Sequence, residues 1–280
     1  MRFTPILDYK ICTLNNWEKV IVRKPRKGTI IAVANQKGGV GKTTTAVNFA
    51  SALALKKKKV LIVDSDPQGN ASSGVGVKTK NLGDHLYHVF CSQASINDVI
   101  VDTGVKNLKV LPSNIDLVAA ELELINQENR ECFLDNILSD VRGDFDFILI
   151  DCPPSLGLLT VNALTAARSV LIPMQCEYFA MEGLAQLINT IRLVKKKYNQ
   201  HLYIEGLLLT MFDTRNKLSH QVSDEISRHF GDQVFKTIIP RNVRLSECPS
   251  HGQTILEYDK RSTGAKAYTA LATEFLKKQR

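Results

Sequence analysis

The sequence predicts a single doubly wound α/β domain, a mostly parallel sheet flanked by helices. Short apolar runs recur along the chain, at residues 30–34, 60–63, 108–111, 147–150, 169–172, 204–209 and 234–239. They are rich in Val, Ile and Leu and do not alternate with polar residues, as expected of strands covered on both faces. Between them lie stretches with helical spacing, such as 43–55, 181–197 and 264–278. Strand–helix repetition of this kind builds a parallel sheet with helices on both sides.

Taken in order, residues 1–28 show no clear period and end in Arg23-Lys24-Pro25-Arg26-Lys27-Gly28. They read as a basic N-terminal extension, and residues 29–280 as the folded domain. The first apolar run, Ile30-Ile31-Ala32-Val33-Ala34, leads into Asn35-Gln36-Lys37-Gly38-Gly39-Val40-Gly41-Lys42-Thr43-Thr44-Thr45 and then into a helical stretch. Strand, glycine-rich turn and helix together form a phosphate-binding loop. The glycines let the backbone curl with its N–H groups inward, and the helix start adds partial positive charge. Lys42 is expected to reach the β/γ-phosphates, and the Thr43 hydroxyl to bind Mg²⁺. Such charge-assisted contacts contribute about 1.5–3 kcal/mol each. The pattern G-x-x-x-x-G-K-[ST] is met except at its first position, which is Gln36. A second lysine, Lys37, stands at the loop mouth. It can face a charge in a neighbouring subunit, or be an ordinary surface lysine.

Two further runs end in carboxylates. Val60-Leu61-Ile62-Val63 runs into Asp64-Ser65-Asp66-Pro67-Gln68-Gly69-Asn70, and Phe147-Ile148-Leu149-Ile150 into Asp151-Cys152-Pro153-Pro154-Ser155. Ligands of open α/β sheets bind outside the carboxyl ends of the strands. Asp151 is expected to hold a metal ion through its water, Asp66 to orient an attacking water, and Asp64 to support the metal from behind. A carboxylate ending a strand can also merely cap the next helix, most readily at Asp64.

Composition bounds the rest. The chain has 280 residues, 44% of them hydrophobic and 23% charged, which excludes a disordered protein. There is no apolar run of roughly 20 residues to span a bilayer, and residues 1–28 lack a signal-peptide pattern. A cytoplasmic protein is expected. Cys12, Cys91, Cys132, Cys152, Cys176 and Cys248 are scattered singly, so zinc, iron–sulfur and disulfide frameworks lack their spacing. His85 and His88 read as structural.

The net charge of +8 is uneven. Residues 1–28 carry seven basic and two acidic side chains, 29–191 carry 13 and 17, and 192–280 carry 16 and nine. Basic groups gathered in the last third can attract a polyanion, either nucleic acid or an acidic membrane.

These motifs resemble the three signatures of the ParA/MinD class of deviant Walker ATPases: Lys37-Gly38-Gly39-Val40-Gly41-Lys42-Thr43, Asp64–Asn70 and Asp151–Ser155. Gln175-Cys176-Glu177-Tyr178-Phe179-Ala180-Met181-Glu182-Gly183-Leu184, Ile239-Pro240-Arg241-Asn242-Val243-Arg244-Leu245-Ser246-Glu247 and Pro249-Ser250-His251-Gly252 are similar to the Soj-type chromosomal ParA proteins. The resemblance covers residue 29 to the C-terminus. It implies a P-loop ATPase that uses ATP and Mg²⁺ and forms a sandwich homodimer in the ATP state.

In that dimer Lys37 would reach the partner's phosphates. Gly38 and Gly39 would allow the close approach, with Val40, Gly41, Lys42, Thr43 and Thr44 holding the phosphates. Pro240, Arg241 and Asn242 would lie near the adenine. The resemblance further implies non-specific double-stranded DNA binding by the dimer, through Arg215, Arg241 and Arg244. Salt-sensitive phosphate neutralisation would supply that affinity. A ParB-type centromere-binding partner would stimulate slow ATP hydrolysis by Lys37, Lys42 and Asp66 and so release the DNA. The protein would then be nucleoid-associated and serve the partitioning of a chromosome or plasmid.

Three other readings stand beside this one. A MinD-like membrane-associated ATPase would use the 264–280 helix, whose Ala267, Tyr268, Leu271, Phe275 and Leu276 form an apolar face. An Ala-rich face without a separate linker favours packing on the core instead, so no membrane is expected. A metabolic P-loop enzyme lacks a substrate motif or paired cluster cysteines. A nucleotide-dependent scaffold that hydrolyses almost nothing is the third.

Overall fold

The computed structural model describes residues 27–79, 82–177 and 180–279. Most of the basic extension, residues 1–26, therefore lies outside the described residues. A seven-stranded sheet runs through the domain: β1 (Thr29–Val33), β2 (Val60–Asp64), β3 (Val101–Asp102), β4 (Leu108–Leu111), β5 (Phe147–Asp151), β6 (Ser169–Gln175) and β7 (Tyr203–Thr210). Their spatial order is β3-β4-β2-β5-β1-β6-β7. All pairings are parallel except β3 with β4, at one edge. The expected doubly wound, mostly parallel α/β fold is thus the fold observed.

The helices are α1 (Lys42–Leu55), α2 (Asn70–Gly74), α3 (Leu86–Phe90), α4 (Ile96–Val99), α5 (Leu117–Glu123), α6 (Phe133–Ser139), α7 (Leu158–Ala166), α8 (Ala180–Lys197), α9 (Lys217–Phe230), α10 (Val243–Glu247), α11 (Ile255–Tyr258) and α12 (Thr263–Lys278). Because β1, β2 and β5 are buried along their whole length, their side chains feed two cores. Ile30, Ala32, Leu61, Val63, Ile148 and Ile150 face α5, α7 and α8, whereas Ile31, Val33, Ile62 and Leu149 face α1 and α12.

α12 covers α1. The Phe275 ring meets Phe49 and Phe147 edge-on, with centroids 5.2 and 5.3 Å apart, and the Tyr268 hydroxyl lies 3.2 Å from Thr45 Oγ1. Tyr268, Leu271 and Phe275 are buried. The apolar face that a membrane-binding helix would need is therefore occupied by the core, and no helix among the described residues is long and apolar enough to cross a membrane.

One expected strand is absent. Residues 234–239 reach β7 through one isolated bridge, Leu207 to Val234, and two separate backbone hydrogen bonds, from the Phe235 N–H to the Leu207 carbonyl and from the Ile239 N–H to the Leu209 carbonyl, both at 2.9 Å. The reason lies in α12: Glu274 accepts the backbone N–H groups of Lys236 and Thr237, at 2.8 and 2.9 Å, together with the Thr237 hydroxyl. Those donors are withdrawn from a sheet ladder.

Candidate functional site

The loop between β1 and α1 is braced from two sides, by β6 and by β7. Asn35, leaving β1, donates from Nδ2 to the Pro173 carbonyl at 2.7 Å and accepts the Lys37 N–H on Oδ1 at 3.0 Å. The Thr210 hydroxyl, at the end of β7, donates to the Val40 carbonyl at 2.8 Å. Gly39 and Gly41 have φ of +73° and +85°, the left-handed conformation that curls the backbone and that glycine adopts without strain. α1 then begins at Lys42, so its unpaired N–H groups open into the curl.

Lys42 is buried, and its ammonium donates to the Lys37 carbonyl at 3.2 Å, across the loop. Burial lowers its pKa, an effect opposed by the negative charges of Asp151 and Asp66. Lys42, Asp66 and Asp151, expected to work together, are therefore brought together.

The two carboxylates that end β2 and β5 are register partners: Asp64 stands beside Asp151 in the sheet. Asp64 accepts the Ser72 N–H and hydroxyl, at 2.8 and 2.6 Å, and the Asp66 N–H at 3.3 Å. Burial pushes its pKa up to about 7 against those hydrogen bonds. Its oxygens thus tie down α2 and the turn that carries Asp66. Asp66 in turn accepts the Gln68 N–H on Oδ1 at 2.9 Å.

Asp151 differs from both. Like Asp64 it is fully buried, but neither of its oxygens makes a hydrogen bond of ordinary geometry among the described residues, the nearby Thr43 hydroxyl being the one group that offers its charge a donor. Burial, and then the neighbouring Asp64 charge, push its pKa well above the ordinary carboxylate value. An orphaned buried carboxylate is a conspicuous vacancy in hydrogen bonding. A hard cation such as Mg²⁺, which takes oxygen ligands and keeps several waters, fits Asp151 and the Thr43 hydroxyl. Among the described residues no group of three or more His, Cys, Asp or Glu side chains could hold a metal on its own. The remaining ligands would have to be phosphate oxygens and water.

At the loop mouth Lys37 is ion-paired with Glu177, just beyond β6. Gly38 and Gly39 face open space: no described atom lies within 4 Å of a Cβ added at either.

The expected adenine and DNA residues lie along the chain that follows β7. The Arg241 N–H donates to the Phe212 carbonyl at 3.1 Å, after Pro240. Asn242 caps α10, accepting the Leu245 N–H at 3.3 Å, and donates to Thr263 Oγ1 at 2.6 Å. Arg215 is 86% exposed and grips Asp213 with Nε and an Nη at 3.0 and 2.9 Å. That grip holds the Asp213 carboxyl down at about 2, helped by the charge of Arg241. Arg244 pairs with Glu247 at 2.9 Å and lies 3.9 Å from Asp259. Arg215 and Arg241 are thus brought near one acid, while Arg244 is held by others.

Sequence reasoning missed the braces Asn35 and Thr210 and the Lys37 partner Glu177. These contacts join residues 138, 170 and 140 positions apart.

A family model described as an AAA domain matches residues 28–204. The sporulation initiation inhibitor protein Soj of Bacillus subtilis is 55% identical over 247 residues, 88% of this chain and 98% of Soj. The chain belongs to the Soj/ParA family of partitioning ATPases. The chromosome partitioning protein ParA of Myxococcus xanthus is 53% identical over 90% of this chain and 89% of its own length. Among solved structures, a cobyrinic acid a,c-diamide synthase from Mycobacterium smegmatis, with bound ATP analog and magnesium, superposes with a TM-score of 0.79. It is 36% identical, over 89% of this chain and 94% of that one.

The Soj/ParA membership agrees with the ATPase and P-loop expectations.

Proposed function

We propose that this Soj/ParA-family ATPase binds ATP with Mg²⁺ in the braced loop, pairs with a second copy in that state, and only then binds double-stranded DNA without sequence preference. The observation that carries the reading is the asymmetry of the loop. Its inner side holds Lys42 beside two buried carboxylates, whereas on its outer side a Cβ added at Gly38 or Gly39 would meet no described atom within 4 Å. A nucleotide on the inner side and a second subunit on the outer side fill both.

In this reading the curled N–H groups and Lys42 bind and orient the phosphates. Asp66, fixed by the turn at Gln68, orients the attacking water. Thr43 and, through a water, Asp151 would hold Mg²⁺, and Asp64 braces the turn from behind. The metal supplies charge neutralisation on the phosphate oxygens. Lys37 leaves Glu177 for the partner's phosphates. Arg241 and Asn242, with Pro240, border the base. Arg215 and Arg244 are paired with acids and not with the phosphate loop. Phosphoryl transfer depends on positioning and charge stabilisation, which favours slow hydrolysis that a ParB-type partner accelerates.

Arg215, Arg241 and Arg244 bind DNA phosphates. Exposed ion pairs contribute only about 0–1 kcal/mol, so Arg215 and Arg244 can exchange their acids for phosphate readily. The protein then works in the cytoplasm on the nucleoid, moving a partner complex and its attached DNA. A metabolic synthetase is the rival reading, since one similar structure carries such a name. The relatives at 53 and 55% identity carry partitioning names instead.

The test is a DNA-binding titration with ATP, ADP and no nucleotide, on the wild type, Lys37→Ala and Arg215→Glu. DNA binding is expected with ATP alone, falling with salt, and lost in both variants. Equal DNA affinity in all three nucleotide conditions would overturn the reading.

A further inference from the structure

Helix α5, with the turn before it and the 3-10 turn Leu124–Asn126 after it, carries two apolar faces. Leu117, Ala120 and Leu124 are buried in the core. Ile115, Val118, Leu122 and Ile125 recur at spacings of three, four and three residues on another side. They remain 62, 48, 69 and 53% exposed. A surface helix ordinarily shows one apolar stripe, and a contiguous exposed apolar patch marks a contact surface.

The stripe has a definite place in the fold. The chain entering α5 leans on the Asp66 turn: a Cβ at Gly69 would meet the Ser113 carbonyl at 2.7 Å, and the Ser113 N–H donates to Ser72 Oγ at 3.2 Å. From α5, Glu121 Oε1 accepts the Leu159 N–H at 3.2 Å, beyond the Asp151 loop. Glu123 takes the Tyr87 hydroxyl and the Cys91 thiol, each at 2.9 Å, which fixes the helix against α3. α5 therefore contacts the Asp66 turn and the loop after Asp151, at the carboxyl ends of the strands, the end of the parallel sheet at which β1 also runs into Lys37, Gly38 and Gly39.

We propose that the Ile115, Val118, Leu122 and Ile125 stripe is the apolar part of the contact between two copies of this chain. This rests on the nucleotide-dependent dimer proposed above. Size argues for it: a stable interface buries roughly 800 Å² per partner, more than the short open turn around Gly38 and Gly39 can offer. The stripe continues that face and supplies what it lacks. A two-fold axis through the nucleotide face brings both copies' stripes into the same interface.

The experiment is sedimentation equilibrium of the full chain with Mg²⁺ and a non-hydrolysable ATP analogue, on the wild type, Leu122→Ser, Ile125→Ser and the control Leu55→Ser. Leu55 is as exposed as the stripe but lies at the far end of α1. The stripe variants are expected to need at least about tenfold more protein to dimerise, since a two-fold contact feels each truncation twice. Leu55→Ser and analogue binding should match the wild type. Amide exchange of residues 115–125 in the wild type should slow when the analogue is added, a readout that needs no variant. Stripe variants that dimerise at the wild-type concentration, or a dimer whose 115–125 exchange is unchanged, would overturn the proposal and hand the stripe to another occupant. A wild type that stays monomeric with the analogue would instead overturn the dimer reading, and the stripe proposal with it.

Discussion

Lys37 and Glu177 are paired across the mouth of the phosphate loop, joining the turn after β1 to the end of β6. Both side chains are partly exposed, so the pair contributes little to stability, about 0–1 kcal/mol. What it does is hold the Lys37 ammonium within its own subunit. If Lys37 serves the partner's phosphates, the contact with Glu177 competes with that role. Glu177→Gln is then expected to support ATP-dependent DNA binding at an equal or lower ATP concentration, whereas Lys37→Ala abolishes it. Mobility-shift titrations of both variants against ATP check this. A Glu177→Gln protein as defective as Lys37→Ala would show that Glu177 does more than restrain the lysine.

Gly38 allows a clean separation of folding from pairing. Its backbone is outside the left-handed region, and an added Cβ would meet no described atom within 4 Å. Gly38→Val should therefore leave the melting temperature of the nucleotide-free protein within about 2 °C of wild type, since surface changes away from special features fall within about 0.5 kcal/mol. Gly39→Ala, at φ +73°, should cost about 1 kcal/mol in backbone strain. ATP-dependent dimerisation should be lost in Gly38→Val while a fluorescent nucleotide still binds. Light scattering and calorimetry on the same samples decide it.

The legible parts of this protein are the contiguous ones. Lys37 to Thr43, Asp64 to Asn70 and Asp151 to Ser155 each place their functional groups within a few residues of a strand end, so strand period and loop chemistry suffice to find them. The 234–239 strand was misread because Glu274, on α12, captures the donors of Lys236 and Thr237, and local β-propensity carries no sign of that. The antiparallel β3 is two residues long, too short for any period. Asn35, Thr210 and Glu177 are ordinary residues by sequence. Their role comes from the sheet order, which sets β6 next to β1 and β7 next to β6.

Asp151 places binding and stability in opposition. Its buried carboxylate makes no hydrogen bond of ordinary geometry among the described residues, and its pKa is raised by burial and by Asp64 against the nearby Thr43 hydroxyl. A raised folded-state value means that the ionised form destabilises the empty protein as pH climbs. Asp151→Asn should therefore melt at or above the wild type near pH 8 when no nucleotide is present. The wild type with Mg²⁺ and ATP at 100 times its Kd gains about 2.7 kcal/mol, a rise of several degrees. That rise should vanish in Asp151→Asn, and in the wild type when EDTA removes the metal. Thermal melts in these five conditions measure it; a variant that keeps the full rise would show that Asp151 does not hold the metal.

Glu205 gives a pH dependence far from the nucleotide. It is buried at the start of β7, where its carboxyl accepts hydrogen bonds from Ser169 Oγ at 2.7 Å, the Tyr203 hydroxyl at 3.1 Å and Gln279 Nε2 at 2.8 Å. The last of these ties the end of the C-terminal helix to the sheet. Burial raises its pKa above the ordinary 4.5, against those hydrogen bonds. Below 4.5 the side chain is protonated both folded and unfolded, and its contribution to stability is fully present. As pH rises the unfolded chain ionises first, so the folded state progressively loses that contribution until the folded-state carboxyl has ionised too. Glu205→Gln stays neutral throughout and keeps a carbonyl oxygen as acceptor. Its melting temperature should fall less than that of the wild type between pH 4.5 and 8. Urea unfolding of both proteins across that range tests the sign, and a wild type that gains stability relative to Glu205→Gln as pH rises would reverse it.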